Sequence, residues 1–177
     1  EPRLMRIEPQ ELNVSSFPLG GTGKMSTDGT LPLLYYQRVI PPSKVTADAF
    51  EGLLAENGWV HSWRNGVYGF HHYHANTHEV LGIYNGTAVL QFGGENGIEK
   101  EVGVGDAVII PSGVVHKNLG SSFRFGVVGA YPRGQRMGMC YGQKGQRPGE
   151  NEIIARVPLP PMDPFCGERG PLIEIWH

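Results

Sequence analysis

The chain has little cysteine, little charge and no long apolar run. Only Cys140 and Cys166 occur among 177 residues, too few for a disulfide framework, so two free thiols are expected. Charged residues make up 18%, below the quarter or so usual in globular domains, which excludes a solvated helical or disordered polyelectrolyte. Fifteen Lys+Arg against 17 Asp+Glu leave a net charge of -2, without a basic stripe, so no nucleic acid partner is expected. No apolar run reaches the ~18 residues of a membrane span. No signal-peptide pattern opens the chain. A cytoplasmic protein that engages no membrane is the expectation.

Glycine and proline are abundant: 26 Gly and 14 Pro stand beside an ordinary 40% of hydrophobic residues. They are also segregated. Six prolines precede Ser43, seven lie from Pro132 onward, and Pro111 alone falls between, where 15 glycines stand. This pattern points to a turn-rich β domain between two proline-stiffened arms, with one domain expected at this length. The division reads as an N-terminal arm and helix over 1–58, a barrel core over 59–131, and a C-terminal arm over 132–177 packing on the same domain.

One helix is predicted, over 47–57. Ser43 or Thr46 caps it, Phe50, Leu53 and Leu54 form its apolar stripe, and Gly58 ends it. From Trp59 the period changes to two. Strands are predicted over 33–39, 59–64, 67–74, 79–84, 87–92, 98–102, 107–110, 114–118 and 123–131, with weaker ones at 153–154 and 172–176. Asn65-Gly66 and Asn85-Gly86 read as type I′ hairpin turns. Short, evenly spaced strands indicate a sandwich or barrel.

Histidine is concentrated. Of seven, His71, His72, His74 and His78 fall within 69–79, and His116 lies in a later strand. On a strand, His72 and His74 share one face. Glu79 shares the face of Leu81 and Ile83, the interior one. Two imidazoles and a carboxylate therefore converge in a barrel mouth. Such donors suit Zn, Mn, Fe, Ni or Cu rather than Ca or Mg. A hydrogen-bonded polar cluster at a rim is the plainer reading, but it would need several partners in an apolar interior.

The spacing of these residues resembles the cupin superfamily. Its first motif, G-x5-H-x-H-x(3,4)-E-x6-G, is matched by Gly66, His72, His74, Glu79 and Gly86. Its second, G-x5-P-x-G-x2-H-x3-N, is matched by Gly105, Pro111, Gly113 and His116, but Gly120 stands at the closing Asn position and Asn118 two residues earlier. The resemblance, closest to small single-domain metal-binding cupins, implies an all-β double-stranded β-helix, the jelly-roll cupin barrel. It also implies one divalent transition metal, Fe, Mn, Ni or Zn, on His72, His74, Glu79 and His116. His78 is either an alternative ligand turned inward by a bulge or a residue supporting the ligands from behind. Asn118 is a candidate substrate contact or a hydrogen-bonding strand residue. Tyr36, Arg38, Trp63, Gln91 and Tyr131 are candidates for the pocket wall.

Three His and one Glu leave open coordination positions, the mark of a reactive site. The expected function is therefore that of a metal-dependent enzyme, a dioxygenase or isomerase, on a small organic molecule. The alternative is a non-catalytic small-molecule-binding or sensor cupin. A homodimer is the candidate assembly, symmetric dimers being common.

Overall fold

Thr46 starts the first helix by accepting the Ala49 N–H on its side-chain oxygen at 2.9 Å. This helix, α1 (Ala47–Glu56), buries Ala47, Phe50, Leu53 and Leu54 on one stripe. The computed structural model describes residues 7–19, 25–26, 29–135, 139–140 and 146–177. The strands are β1 (Asn13–Phe17), β2 (Met25–Ser26), β3 (Gly29–Thr30), β4 (Leu33–Gln37), β5 (Trp59–Asn65), β6 (Tyr73–His74), β7 (Glu79–Asn85), β8 (Thr87–Phe92), β9 (Ile98–Gly103), β10 (Ala107–Ile110), β11 (His116–Ser121), β12 (Gly126–Pro132) and β13 (Met139–Cys140). Two late helices follow, α2 (Gln146–Arg156) and α3 (Pro171–Trp176). Among the described residues no helix is long and apolar enough to cross a membrane.

Two antiparallel sheets form the jelly roll. One has six strands in the order β1-β4-β10-β7-β12-β5, the other three in the order β11-β8-β9. Leu33, Leu81, Ile83, Val108 and Val127 of the larger sheet meet Leu90, Phe92 and Val102 of the smaller one. The outer face of the larger sheet carries Leu34, Tyr36, Val80, Ile109 and Val128 against Phe50, Leu54, Phe165 and Trp176. With both faces covered, β7, β10 and β12 are buried almost throughout instead of alternating. Gly82 is where α1 comes closest: a Cβ there would lie 2.6 Å from the Phe50 ring.

The two Asn-Gly pairs are not hairpin turns. Asn65, Gly66 and Asn85 keep negative φ, whereas a type I′ turn needs positive φ at both central residues. At Asn85-Gly86 the chain leaves the six-stranded sheet and enters the three-stranded one, since β7 pairs with β10 and β12 while β8 pairs with β9 and β11. The strand predicted over 67–74 is reduced to β6, which pairs with β13 alone, and a single bridge at His72, because this stretch wraps the site instead of joining either of the two main sheets. The later strand predicted from 114 begins at His116.

The weak strands predicted at 153–154 and 172–176 are corrected to α2 and α3. In α3, Pro171 at the first turn favours a helix start, and Leu172 and Trp176, four apart, are both buried. One carboxylate anchors this arm. Asp163 is wholly buried. It accepts hydrogen bonds from the N–H groups of Phe165 (2.8 Å), Cys166 (3.0 Å) and Leu172 (3.0 Å) and from the Tyr36 hydroxyl (2.5 Å). Trp176 adds an indole N–H bond to Pro32 O at 3.0 Å. Cys166 is a free thiol, pushed up to about 12 by burial and the Asp163 charge; the side chain of Cys140 and residues 20–24 lie outside the described part.

Replacing Asp163 with Ala strands these buried donors. Urea unfolding of Asp163→Ala is expected to show a loss of roughly 3 kcal/mol or more, since each orphaned group costs ~1–3 kcal/mol. A loss below ~1 kcal/mol would show that the arm is held by its apolar contacts alone.

Candidate metal centre

Glu79 opens β7 on the inward face with Leu81 and Ile83 and is only 2% exposed. His78, one residue earlier, takes the opposite face. It is wholly buried, its ring lies 5.0 Å from that of Trp176, and its Nδ1 accepts the Ser112 N–H at 2.9 Å. It is therefore outside the cluster around Glu79 and tied by that bond to the loop leading to His116.

His72 and His116 form an antiparallel bridge, exchanging two backbone hydrogen bonds of 3.1 and 2.9 Å, with ring centroids 4.1 Å apart. His74, two residues on, accepts the Gly113 N–H on its carbonyl at 2.7 Å. Pro111 to Val114 make a turn closed by Val114 N–H to Pro111 O at 3.1 Å. Its third residue, Gly113, has φ +82°, a conformation open to glycine at little cost. The turn thus aims the His116 strand and holds the β6 backbone at once.

Three of the expected residues converge. His74 Nε2 lies 3.2 Å from Glu79 Oε2, and His116 Nε2 lies 3.5 Å from Oε1. One ligand atom from each of the three lies within 4.8 Å of the others. His72 stands beside this trio, its ring tilted 57° to that of His116. The His72 Nδ1 lies 3.0 Å from Phe70 O and the His116 Nδ1 3.1 Å from Val114 O. A carbonyl only accepts, so each Nδ1 carries the proton and each neutral ring keeps its lone pair on Nε2.

The electrostatics are opposed at the centre. Burial raises the Glu79 carboxyl pKa, but His74 and His116 outweigh it and hold the group well below the ordinary carboxylate range. Burial, then the neighbouring His116, lowers His72 to about 4. In the neutral form, the His116 Nε2 lone pair faces a carboxylate oxygen, and Glu79 Oε2 makes no hydrogen bond of good geometry. Lone pairs and negative charge turned toward one another need a proton or cation among them. Borderline nitrogen and oxygen donors in this arrangement fit a transition metal.

The cluster forms the floor of a cavity of about 230 Å³. Trp63 and Tyr131 of the expected wall residues line it, and the Trp63 indole N–H donates to the Tyr131 hydroxyl at 2.7 Å. Tyr36 is committed to Asp163. Arg38 donates its backbone N–H to Asp106 at 2.9 Å, and Gln91 bonds Glu95 O at 3.3 Å. Asn118 does not line the cavity: it bonds Val67 O and Ser121 and accepts the Gly120 N–H, bracing a bulge in β11. Sequence reasoning missed Tyr68, which lines the wall and meets His72 edge-on at 5.3 Å. Its signal was present, since the alternation that puts His72 and His74 on one face of the predicted strand 67–74 puts residues 68 and 70 there too.

Metal-free protein is expected to lose stability on acidification in two windows. The unfolded chain protonates His72 near 6.5, the folded chain near 4, so stability is full above about 6.5 and falls as pH drops toward 4. Glu79 adds a further loss below its ordinary value of about 4.5. Melting temperatures of metal-free His72→Phe should be flatter between pH 6.5 and 4 than those of the parent. Parallel curves would remove His72 as the group responsible.

No protein-family model matches the chain. The uncharacterized protein YjlB of Bacillus subtilis (strain 168) is 42% identical over 154 residues, covering 87% of this chain and 91% of that protein. Among solved structures, pumpkin seed globulin is 25% identical with a TM-score of 0.37; the match covers 45% of this chain and spans about a fifth (22%) of that one. Acireductone dioxygenase from Bacillus anthracis, with a cadmium ion in its active center, is 12% identical with a TM-score of 0.38, over 72% of this chain and 81% of that one. The likeness to YjlB runs through most of both chains, and the residues that resemble the two cupin motifs lie on the two-sheet jelly roll described above: the protein belongs to the same family as YjlB.

Proposed function

We propose that His72, His74, Glu79 and His116 hold one divalent transition metal, and that the protein is an oxygenase or isomerase acting on a small organic molecule in the cavity above it. The observation that carries this reading is the buried convergence of His74 Nε2 and His116 Nε2 on the two oxygens of Glu79, at 3.2 and 3.5 Å. His72 reaches the set by a turn of its ring about bonds that leave its backbone bridge intact. A metal held there would supply Lewis acidity toward a molecule in the cavity.

The chain's own groups prepare that chemistry. The Val114 carbonyl holds the His116 ring in the tautomer that presents Nε2 to Glu79. Trp63, Val67, Tyr68 and Leu81 give the floor a largely apolar surround. Tyr131 stays protonated, its pKa raised by burial and then by the Glu79 charge, so it offers a proton or a hydrogen bond to a bound oxygen atom. One observation favours the alternative of a non-catalytic binding module: beyond the His/Glu cluster, the described lining residues include no carboxylate or imidazole to serve as a base.

Elemental analysis of purified protein tests the reading. Close to one equivalent of Fe, Mn, Ni or Zn is expected, and His74→Ala and Glu79→Gln should each lose most of it, because first ligands dominate affinity. Unchanged metal in folded His74→Ala would overturn the site assignment. Stoichiometric metal with no turnover of diols, thiols, diketones or sugars would favour the binding module.

A further inference from the structure

The cavity's charge and shape narrow what it can take. Its rim contributes one cationic side chain, Arg64, and that guanidinium is paired with both Asp48 and Glu51 of α1. Among the described lining residues no cation is left for a phosphate. The floor holds one ionised carboxylate. A divalent ion added to it leaves a single surplus positive charge, since neutral imidazoles contribute none. In a largely apolar cavity an unbalanced charge is expensive. A ligand with one negative charge neutralises the floor, while one with two leaves the excess unpaired.

The walls add two further selections. The Tyr131 hydroxyl already accepts the Trp63 indole N–H at 2.7 Å. Its own proton is therefore available to an acceptor in the cavity it lines, where its ring stands 6.1 Å from that of His74. Tyr68 is 47% exposed at the mouth and stacks on Phe70 with centroids 4.8 Å apart. Their faces suit a flat, apolar body. The cavity's 230 Å³ matches about eight waters, at ~30 Å³ each.

Resting on the metal reading above, we propose that the site selects small planar monoanions with an oxygen donor (enolates, phenolates or arenecarboxylates) over phosphorylated or other dianionic compounds. Tyr131 donates to the bound oxygen and Tyr68 covers the planar body at the mouth.

The probes are salicylate, a planar monoanion, and phenyl phosphate, a dianion of similar size at pH 7.5. Both are titrated against metal-loaded protein by calorimetry, with metal content measured in every sample. Salicylate should bind at least tenfold more tightly than phenyl phosphate. Tyr131→Phe should weaken salicylate by roughly 3- to 10-fold, the size of one hydrogen bond, with metal content unchanged. Tyr68→Ala, at an exposed position with little bearing on folding, should weaken it severalfold.

Phenyl phosphate binding as tightly as salicylate, or no loss in both variants, overturns the ligand class while leaving the metal reading intact. Protein that takes up no metal overturns the metal reading, and the charge preference falls with it.

Discussion

A carboxylate cut off from water is the constraint around which this structure is organised. Glu79 is buried between two sheets, where an unpaired charge would cost several kcal/mol. Its compensation comes from imidazoles delivered by chain segments far apart in sequence. The same arrangement explains why a cation fits among these atoms. A site of this kind is stable only if the backbone holding each donor is itself fixed.

That fixing is mostly backbone work. The His72–His116 bridge binds the two histidine segments directly, and Gly113 donates to the carbonyl of His74. Glu79 is set by a central strand of the larger sheet, with β10 on one side and β12 on the other. His78 closes the ring from behind through Ser112 N–H and packs on Trp176. The C-terminal arm, anchored at Asp163, thereby touches the support of the site although it lies on the sheet's outer face.

Much of the site was legible because it depends on local periodicity. Alternation placed His72 with His74 and Glu79 with Leu81, and the spacing of the turn before His116 was visible as Pro111 and Gly113. The inward or outward direction of His78 was not decidable locally, since a bulge would reverse it and only the pairing of β7 excludes that. Asn118 looked available to a substrate because the bulge at Gly120 is invisible in an alternating pattern. Asp163 gave no signal: a lone acidic residue in a proline-rich stretch reads as solvated until four donors are found around it.

By itself the sequence determined the donor types, their spacing, the β character of the core and the first helix with its Thr46 cap, since backbone preference and alternation act over a few residues. Only the tertiary structure decided which edge each strand joins. At Asn85-Gly86 the local preference was for a hairpin, yet β7 and β8 belong to different sheets, because burying Leu81 and Ile83 against Leu90 and Phe92 outweighs one turn's geometry. The helical state of the C-terminal tail was settled likewise, by a buried carboxylate and a groove for Leu172 and Trp176 that exist only once the chain has folded.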